Sequence, residues 1–224
     1  MKILALETST NACSVALWQS GQDTRELFTV APRQQTERVL PMVEQLLQEQ
    51  GVTPEELTGI AVGHGPGAFT GVRIAVAVAQ GLAYGLDVPV VGVSSLAASA
   101  WCAYAAGAEG PVLVAQDARM NEIYWGLYEG NSQAQQAIRP DALVPVEQLP
   151  ALPAAVTWAT GSAQEAYPEA CAALGIEHWL SPGYPSAKAV AALAVAEFQA
   201  GNTSKAQQLE PMYLRQQVAT PKST

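Results

Sequence analysis

The chain has 224 residues, 49% of them hydrophobic and only 14% charged, with 20 acidic against 11 basic side chains and a formal net charge of -9. That balance argues against a nucleic-acid grip of its own, because phosphate binding is built from Lys and Arg. Three cysteines without a CxxC pair read as small buried apolar residues in a reducing compartment, and only four apolar residues precede Glu7, so a soluble cytoplasmic protein with no membrane association is expected.

Residues 2–6 form an aliphatic run that ends in Glu7, Thr8, Ser9, Thr10 and Asn11, and residues 13–18 resume it. This reads as a strand pair with a hydroxyl-rich tip, and residues 24–30 add a third strand to an antiparallel meander. The tip admits two readings: a carboxylate that holds a metal-bound phosphate, or a solvated acid in an ordinary turn. Residues 34–50 carry Val39, Leu40, Met42, Val43, Leu46 and Leu47 at helical spacing, stopped by Gly51, with Pro41 either starting or kinking the helix. Thr53, Pro54, Glu55 and Glu56 make a capping box ahead of a strand at Ile60.

The least ordinary stretch follows. Gly63, Gly65, Gly67 and Gly71, with Pro66 between them, form a loop whose freed amides beside a helix start suit an anion. From 72 to 85 only Arg73 and Gln80 are clearly polar; Gly71, Ala75, Ala79 and Ala83 recur at one i, i+4 spacing and Ala77, Gly81 and Gly85 at another. At about 14 residues this helix falls short of the ~20 a bilayer needs. An all-round apolar helix is then buried in a core, or it meets a second protein.

A strand is expected over 88–93, a Ser94 and Ser95 cap before an alanine-rich segment 96–106, and a boundary at 107–111. Strands at 112–117 and 122–128 come next. An offset of 110 residues superimposes Glu7 on Asp117 and Asn11 on Asn121, which fits a duplicated unit. A strand at 156–160, a helix at 163–174 containing Pro168, a helix at 186–199 capped by Ser186 and an ordered segment 209–215 complete the pattern before a frayed tail.

The chemistry of a hydrolase or transferase is missing. His64 and His178 show no metal-ligand spacing, although His64 is placed to touch an anion in the glycine loop. There is no Gly-x-Ser-x-Gly elbow and no Walker sequence, and Cys13 has no evident base. Phosphate-friendly loops without catalytic machinery suggest a binding or scaffolding relative of an enzyme.

Four segments then carry a resemblance: Ile3 to Ser9 at the start, Gly63 to Ile74, Asp117-Ala118-Arg119 with Glu122-Ile123-Tyr124, and Glu210-Pro211-Met212-Tyr213-Leu214-Arg215. Together they resemble the TsaB (YeaZ) family over nearly the whole chain. The resemblance implies an α/β actin-like ATPase (ASKHA) fold of two RNase H-like subdomains, here 1–108, with 208–218 packing back on it, and 109–207. It implies a noncatalytic partner of TsaD in forming threonylcarbamoyladenosine at position 37 of tRNAs that read codons starting with adenine. TsaD supplies the His-x-x-x-His metal site that this chain lacks, TsaE joins in a ternary complex, TsaC supplies the threonylcarbamoyl adenylate, and tRNA is met mainly through the partner.

The family's heterodimer, and its homodimer when TsaD is absent, form through two helices that correspond here to 34–50 and 69–85. Carried over, the interface residues are Val39, Met42, Val43, Leu46, Phe69, Val72, Arg73, Ala75, Val76, Ala79, Gln80 and Ala83. Glu7, Thr8, Ser9, Gly65, Gly67 and Thr70 are the corresponding nucleotide or anion contacts; no cofactor is required by this chain, with ATP or ADP placed at the partner interface. Glu7 stands where Asp is common, His64 where Arg is frequent and Ala68 for Ser, changes that alter any phosphate contact. The alternative is an actin-like ATPase or kinase, or a glycoprotease-like enzyme, acting alone through the glycine loop with Glu7 and Asp117.

Overall fold

The computed structural model describes residues 1–215. Strands β1 (Lys2–Glu7), β2 (Ala12–Gln19) and β3 (Arg25–Val30) form the expected meander, with Leu6 opposite Val15 and Glu7 opposite Ser14. Helix α1 (Gln35–Gln50) leads through a 3-10 turn at Pro54–Glu56 to β4 (Gly59–Gly63), which pairs in parallel with β1. Helix α2 (Phe69–Leu86), β5 (Val90–Val93) and α3 (Ser95–Ala105) complete the first unit, and its sheet runs β3-β2-β1-β4-β5. Pro41 lies inside α1 rather than at its start, and Gly51 ends the helix in a left-handed conformation at φ 61°.

The second sheet repeats this plan. It consists of β6 (Val112–Arg119), β7 (Glu122–Gly130), β8 (Gln135–Pro145), β9 (Trp158–Thr160) and, after α4 (Ala163–Ala166) and α5 (Pro168–Ala172), β10 (His178–Leu180), ordered β10-β9-β6-β7-β8. β6 takes the place of β1 and each following strand the place of its counterpart, so the offset of 110 residues marks a real structural duplication. The architecture is the actin-like ATPase fold, two RNase H-like halves facing each other. Strands β8 and β10 are additions to the sequence reading. The single helix expected over 163–174 is two short ones, because Tyr167, preceding Pro168, is driven out of helical geometry to φ -138°, ψ 62°.

Helix α6 (Ala187–Ala200) corrects the division of the chain. Counted with 109–207 from the sequence, it packs instead on the first sheet, where Ala187, Ala189, Val190, Ala191 and Ala194 are buried against Ile3, Ala5, Ala16, Ala61 and Val91. Polar groups fix its first turn there: Ser14 Oγ accepts from the Ala187 N–H at 2.9 Å and Glu26 Oε1 accepts from the Lys188 N–H at 2.9 Å. On the other face of the same sheet Leu4, Leu6, Val15, Leu17, Ile60 and Val62 meet α1 and α2. Alternation along β1 therefore sends side chains into two cores, so the strand is apolar at every central position.

Beyond α6 the chain returns over α2, and Ala206 and Leu209 enter the core beneath it. From Leu209 to Tyr213 the segment contacts the first unit, as expected of 208–218, whereas Arg215 crosses to Glu122 of the second; residues 216–218, like the rest of the expected tail, lie outside the described residues. Helix α2 is longer than the sequence reading, and its 18 residues and hydropathy would suffice for a membrane span. Val72, Ala75, Val76, Ala79 and Ala83 instead pack one face of it into the core.

Ala191→Asp places an unpaired carboxylate between α6 and the first sheet and should lower stability by ~3 kcal/mol or more. Amide exchange resolved by peptide checks the placement: faster exchange should be centred on β1 and β4, not on β6 and β9.

Candidate functional site

The tip of β1 and β2 and the glycine loop interlock. Glu7 is 1% exposed; its Oε1 accepts from the Ser9 N–H at 2.6 Å and its Oε2 from Ser95 Oγ, at the start of α3, at 2.8 Å. Burial raises its pKa, against the opposing pull of those hydrogen bonds. Thr8 Oγ1 donates to the Gly71 carbonyl at 2.7 Å, and the Ala68 N–H donates to the Ser9 carbonyl at 2.7 Å. A Cβ on Gly67 would stand 2.5 Å from the Ser9 carbonyl oxygen, one on Gly71 2.0 Å from that of Thr8, and one on Gly63 1.8 Å from Glu7 Oε2. Gly67 and Gly71 are required because backbone lies directly against backbone, and Gly63 because the Glu7 carboxyl fills the space a side chain would take.

This packing withdraws Glu7 and Thr8 from the expected anion contacts. Glu7, Thr8 and Ser9 are each no more than 1% exposed, with the Glu7 and Thr8 side chains bonded internally and Ser9 Oγ buried without a partner; Gly65, at φ 106°, gives its carbonyl to the Ser95 N–H, and Gly67 abuts Ser9 where both border the cleft. Of the six expected contacts only Thr70 is exposed. An enclosed carboxyl whose burial favours the neutral form does not suit a metal-bound phosphate. His64 faces the C-terminal segment instead: Nδ1 donates to the Glu210 carbonyl at 3.1 Å, the His64 carbonyl accepts from the Met212 N–H at 2.7 Å, and burial lowers the ring's pKa. Among the described residues no group of three His, Cys, Asp or Glu side chains could hold a metal.

A cleft of about 870 Å³ separates the halves. Ser95, Leu96 and Ser99 of α3 line it, with Phe69 and Arg73 on one side, Gln116, Asp117 and Ser162 on the other, and Tyr213 and Arg215 among its C-terminal contributors. Its polar groups largely satisfy one another. Gln116 Oε1 accepts from Ser162 N–H and Oγ at 3.1 and 2.8 Å, and Asp117 accepts from the Arg119 N–H at 2.8 Å and Tyr167 OH at 3.0 Å while pairing with the Arg119 guanidinium at 2.9 Å. Asp117 thus repeats the local bond of Glu7, each accepting from the amide two residues on. The Ser95 hydroxyl that lines the cleft is bound to the enclosed Glu7 carboxyl, and the buried Cys13 thiol is pushed up to about 11 by desolvation. The arrangement can bind and orient.

The docking residues expected on α1 and α2 divide sharply. Val39, Met42, Val43, Leu46, Val72, Ala75, Val76, Ala79 and Ala83 are all buried in the chain's own core, which overturns their placement at an interface. Their small and branched side chains let α1, α2 and the first sheet approach closely. Arg73 and Gln80 are half-buried: Arg73 stacks on Phe69 at 3.1 Å and on Tyr213 at 4.9 Å, and Gln80 Nε2 donates to the Leu209 carbonyl at 2.8 Å. Only Phe69, 56% exposed, faces solvent as expected. The outward face belongs to the other small-residue row: Ala77, Gly81 and Gly85 are exposed beside Tyr84, which is 71% exposed, and a Cβ on Gly81 or Gly85 would meet nothing within 4 Å.

One further cluster joins the halves and has no counterpart in the sequence reading. Asp141 of β8 accepts from Ser94 Oγ at 2.5 Å and from Tyr128 OH, and Ser94 also caps α3 by accepting from the Leu96 and Ala97 amides. Ser94 was legible as a cap; Asp141 lies in a strand that the residue pattern did not reveal.

A family profile described as "TsaD: tRNA N6-adenosine threonylcarbamoyltransferase" matches residues 29–197. The chain is similar to the tRNA threonylcarbamoyladenosine biosynthesis protein TsaB of Escherichia coli (36% identity, 99% of this chain, 98% of the relative) and of Haemophilus influenzae (34%, 99% and 97%). It is similar in structure to YeaZ from Pseudomonas aeruginosa, with TM-score 0.87 and 38% identity over 95% of this chain and 99% of that one.

The enclosed Glu7 should leave a signature in pH dependence. Its folded pKa lies above the ordinary 4.5, so the native state keeps a proton that the unfolded chain has released. Its contribution is therefore whole below about 4.5 and is lost as pH rises through the folded value. Denaturant unfolding of the native chain and Glu7→Gln from about pH 4 to about pH 8 should show the native chain losing ground to the variant as pH rises. A difference moving the other way would mark an ionised, paired carboxylate.

Proposed function

The chain belongs to the TsaB (YeaZ) family and has a role in tRNA threonylcarbamoyladenosine biosynthesis, and from that premise we propose that it acts there as a noncatalytic subunit that docks on TsaD. In this reading TsaD transfers the threonylcarbamoyl group to adenosine 37 of tRNAs reading codons that start with adenine. This chain supplies a rigid surface, and tRNA, with ATP or ADP where it takes part, is met through the partner. TsaE joins the pair, and two copies of the chain use the same surface when TsaD is absent.

The observation that carries the proposal is the outward face of α2. Ala77, Gly81 and Gly85 leave a shallow track along the helix, with Tyr84 standing beside it and the opposite face held rigid by the core. Small residues let a partner helix approach the backbone closely, and an exposed aromatic next to such a track is the usual form of a binding anchor. Among the described residues the cleft offers no metal set, its Asp117 carboxylate is engaged by Arg119 and Tyr167, and the acid on which the enzyme alternative leaned, Glu7, is enclosed, which favours the docking reading.

Substitution of the outer row tests this reading without disturbing the core. Gly81→Arg should leave the unfolding transition nearly unchanged and weaken binding to purified TsaD about 30-fold or more, the scale of a central interface position. Threonylcarbamoyladenosine formed in a reconstituted reaction should fall with it. Native affinity in both Gly81→Arg and Tyr84→Ala would overturn the proposal.

A further inference from the structure

The segment after α6 runs along the first half and ends at the cleft, which Met212, Tyr213, Leu214 and Arg215 line. Ser204 exchanges two backbone hydrogen bonds with Val90, both at 2.9 Å, and so closes the free edge of β5. Ala206 and Leu209 sink beneath α2, and Gln80 of that helix holds the Leu209 carbonyl. Glu210 and Met212 bind His64 at the root of the glycine loop. Tyr213 stacks on Arg73, and Arg215 then crosses to the second half. There its guanidinium donates to Glu122 Oε2 through two nitrogens, Nε at 3.0 Å, and to the Ala118 carbonyl at 3.0 Å, at the β6–β7 tip.

The two halves meet elsewhere through α3, whose Leu96, Ala100, Ala103 and Tyr104 share a core with Val112, Val114 and Tyr128 of the second sheet. Directional bonds reinforce that contact, Ser94 Oγ donating to Asp141 at 2.5 Å and Tyr104 OH to the Tyr128 carbonyl at 3.0 Å, and α3 lines the cleft. The contact from the C-terminal segment is a second directional link, made by another part of the chain and charged on both partners, with side-chain exposures of 19% for Arg215 and 29% for Glu122. The β6–β7 tip it grips is itself held in an uncommon backbone state: Arg119, Met120 and Asn121 are three successive non-glycine residues at positive φ, 62°, 57° and 61°.

We infer that residues 204–215 work as a strap across the cleft, with Arg215 as the latch that sets the spacing between the glycine loop of the first half and the β6–β7 tip of the second. Removing the latch frees the tip, and because the strap is one continuous run of contacts, the loosening travels back along it to Met212, His64 and the glycine loop. Met at 215 keeps an apolar stem of similar length and removes every donor. Gln at 122 keeps the Arg215 bond to the Ala118 carbonyl and weakens only the charged pair.

Amide exchange by mass spectrometry on the full chain tests this. In Arg215→Met, exchange should quicken about tenfold both at 118–123 and at 62–69, the two banks of the cleft, while β1 and α6 keep native protection. Glu122→Gln should move the same two regions in the same direction by a smaller factor. Faster exchange confined to 118–123 in both variants would reduce the contact to a local ion pair and overturn the inference, as would native exchange at both banks.

Discussion

Everything in the first half depends on the place where Thr8 and Ser9 lie against Gly67 and Gly71. Backbone meets backbone there at distances that exclude any side chain, sealed by Thr8 Oγ1 on the Gly71 carbonyl and the Ala68 amide on the Ser9 carbonyl. This clasp decides where α2 begins, because Gly71 lies within its first turn. Glu7 locks the same tip to α3 through Ser95, so one contact region orients the helix that lines the cleft and the helix that faces outward.

The glycine loop consequently has a mechanical meaning. A loop that cradles phosphate keeps its amides free and its acid accessible to a metal. In this chain the Ala68 and His64 amides are taken by Ser9 and Val93, those of Gly67 and of the first turn of α2 have no backbone acceptor among the described residues, and the acid is enclosed with a raised pKa. The same glycine-rich pattern serves close packing, and its rigidity passes into α2. With Val72, Val76 and the inner alanines anchored, the track of Ala77, Gly81 and Gly85 is presented without an ordering cost, which favours a docking role over a chemical one.

Much of the fold is legible from residue pattern because strands such as β1 and β6 are buried on both faces and read as continuous apolar runs ending in an acid. The duplication follows from that repeated strand, acid and turn. Strand β8 escapes notice because a proline-containing run with no buried position gives no alternation, and β10 because it has only three residues. Helix α6 shows a different limit: its alanines announce burial, but only tertiary contacts such as Ser14 with Ala187 say on which sheet. The two small-residue rows of α2 pose the same ambiguity, since periodicity cannot distinguish a face that meets a sheet from one that meets another protein. For Glu7 the missing information is Ser95, distant in sequence and adjacent in space, which turns an apparent ligand into a structural prop.

The claim that this chain contributes shape and not chemistry is tested most directly at that prop. Threonylcarbamoyladenosine should be measured in tRNA after reaction with TsaD, TsaE and TsaC, comparing the native chain with Glu7→Gln, whose amide can keep both the Ser9 and Ser95 contacts. The account predicts equal yield and equal initial rate. A variant that folds and binds TsaD as the native chain does, yet supports little or no modification, would contradict it.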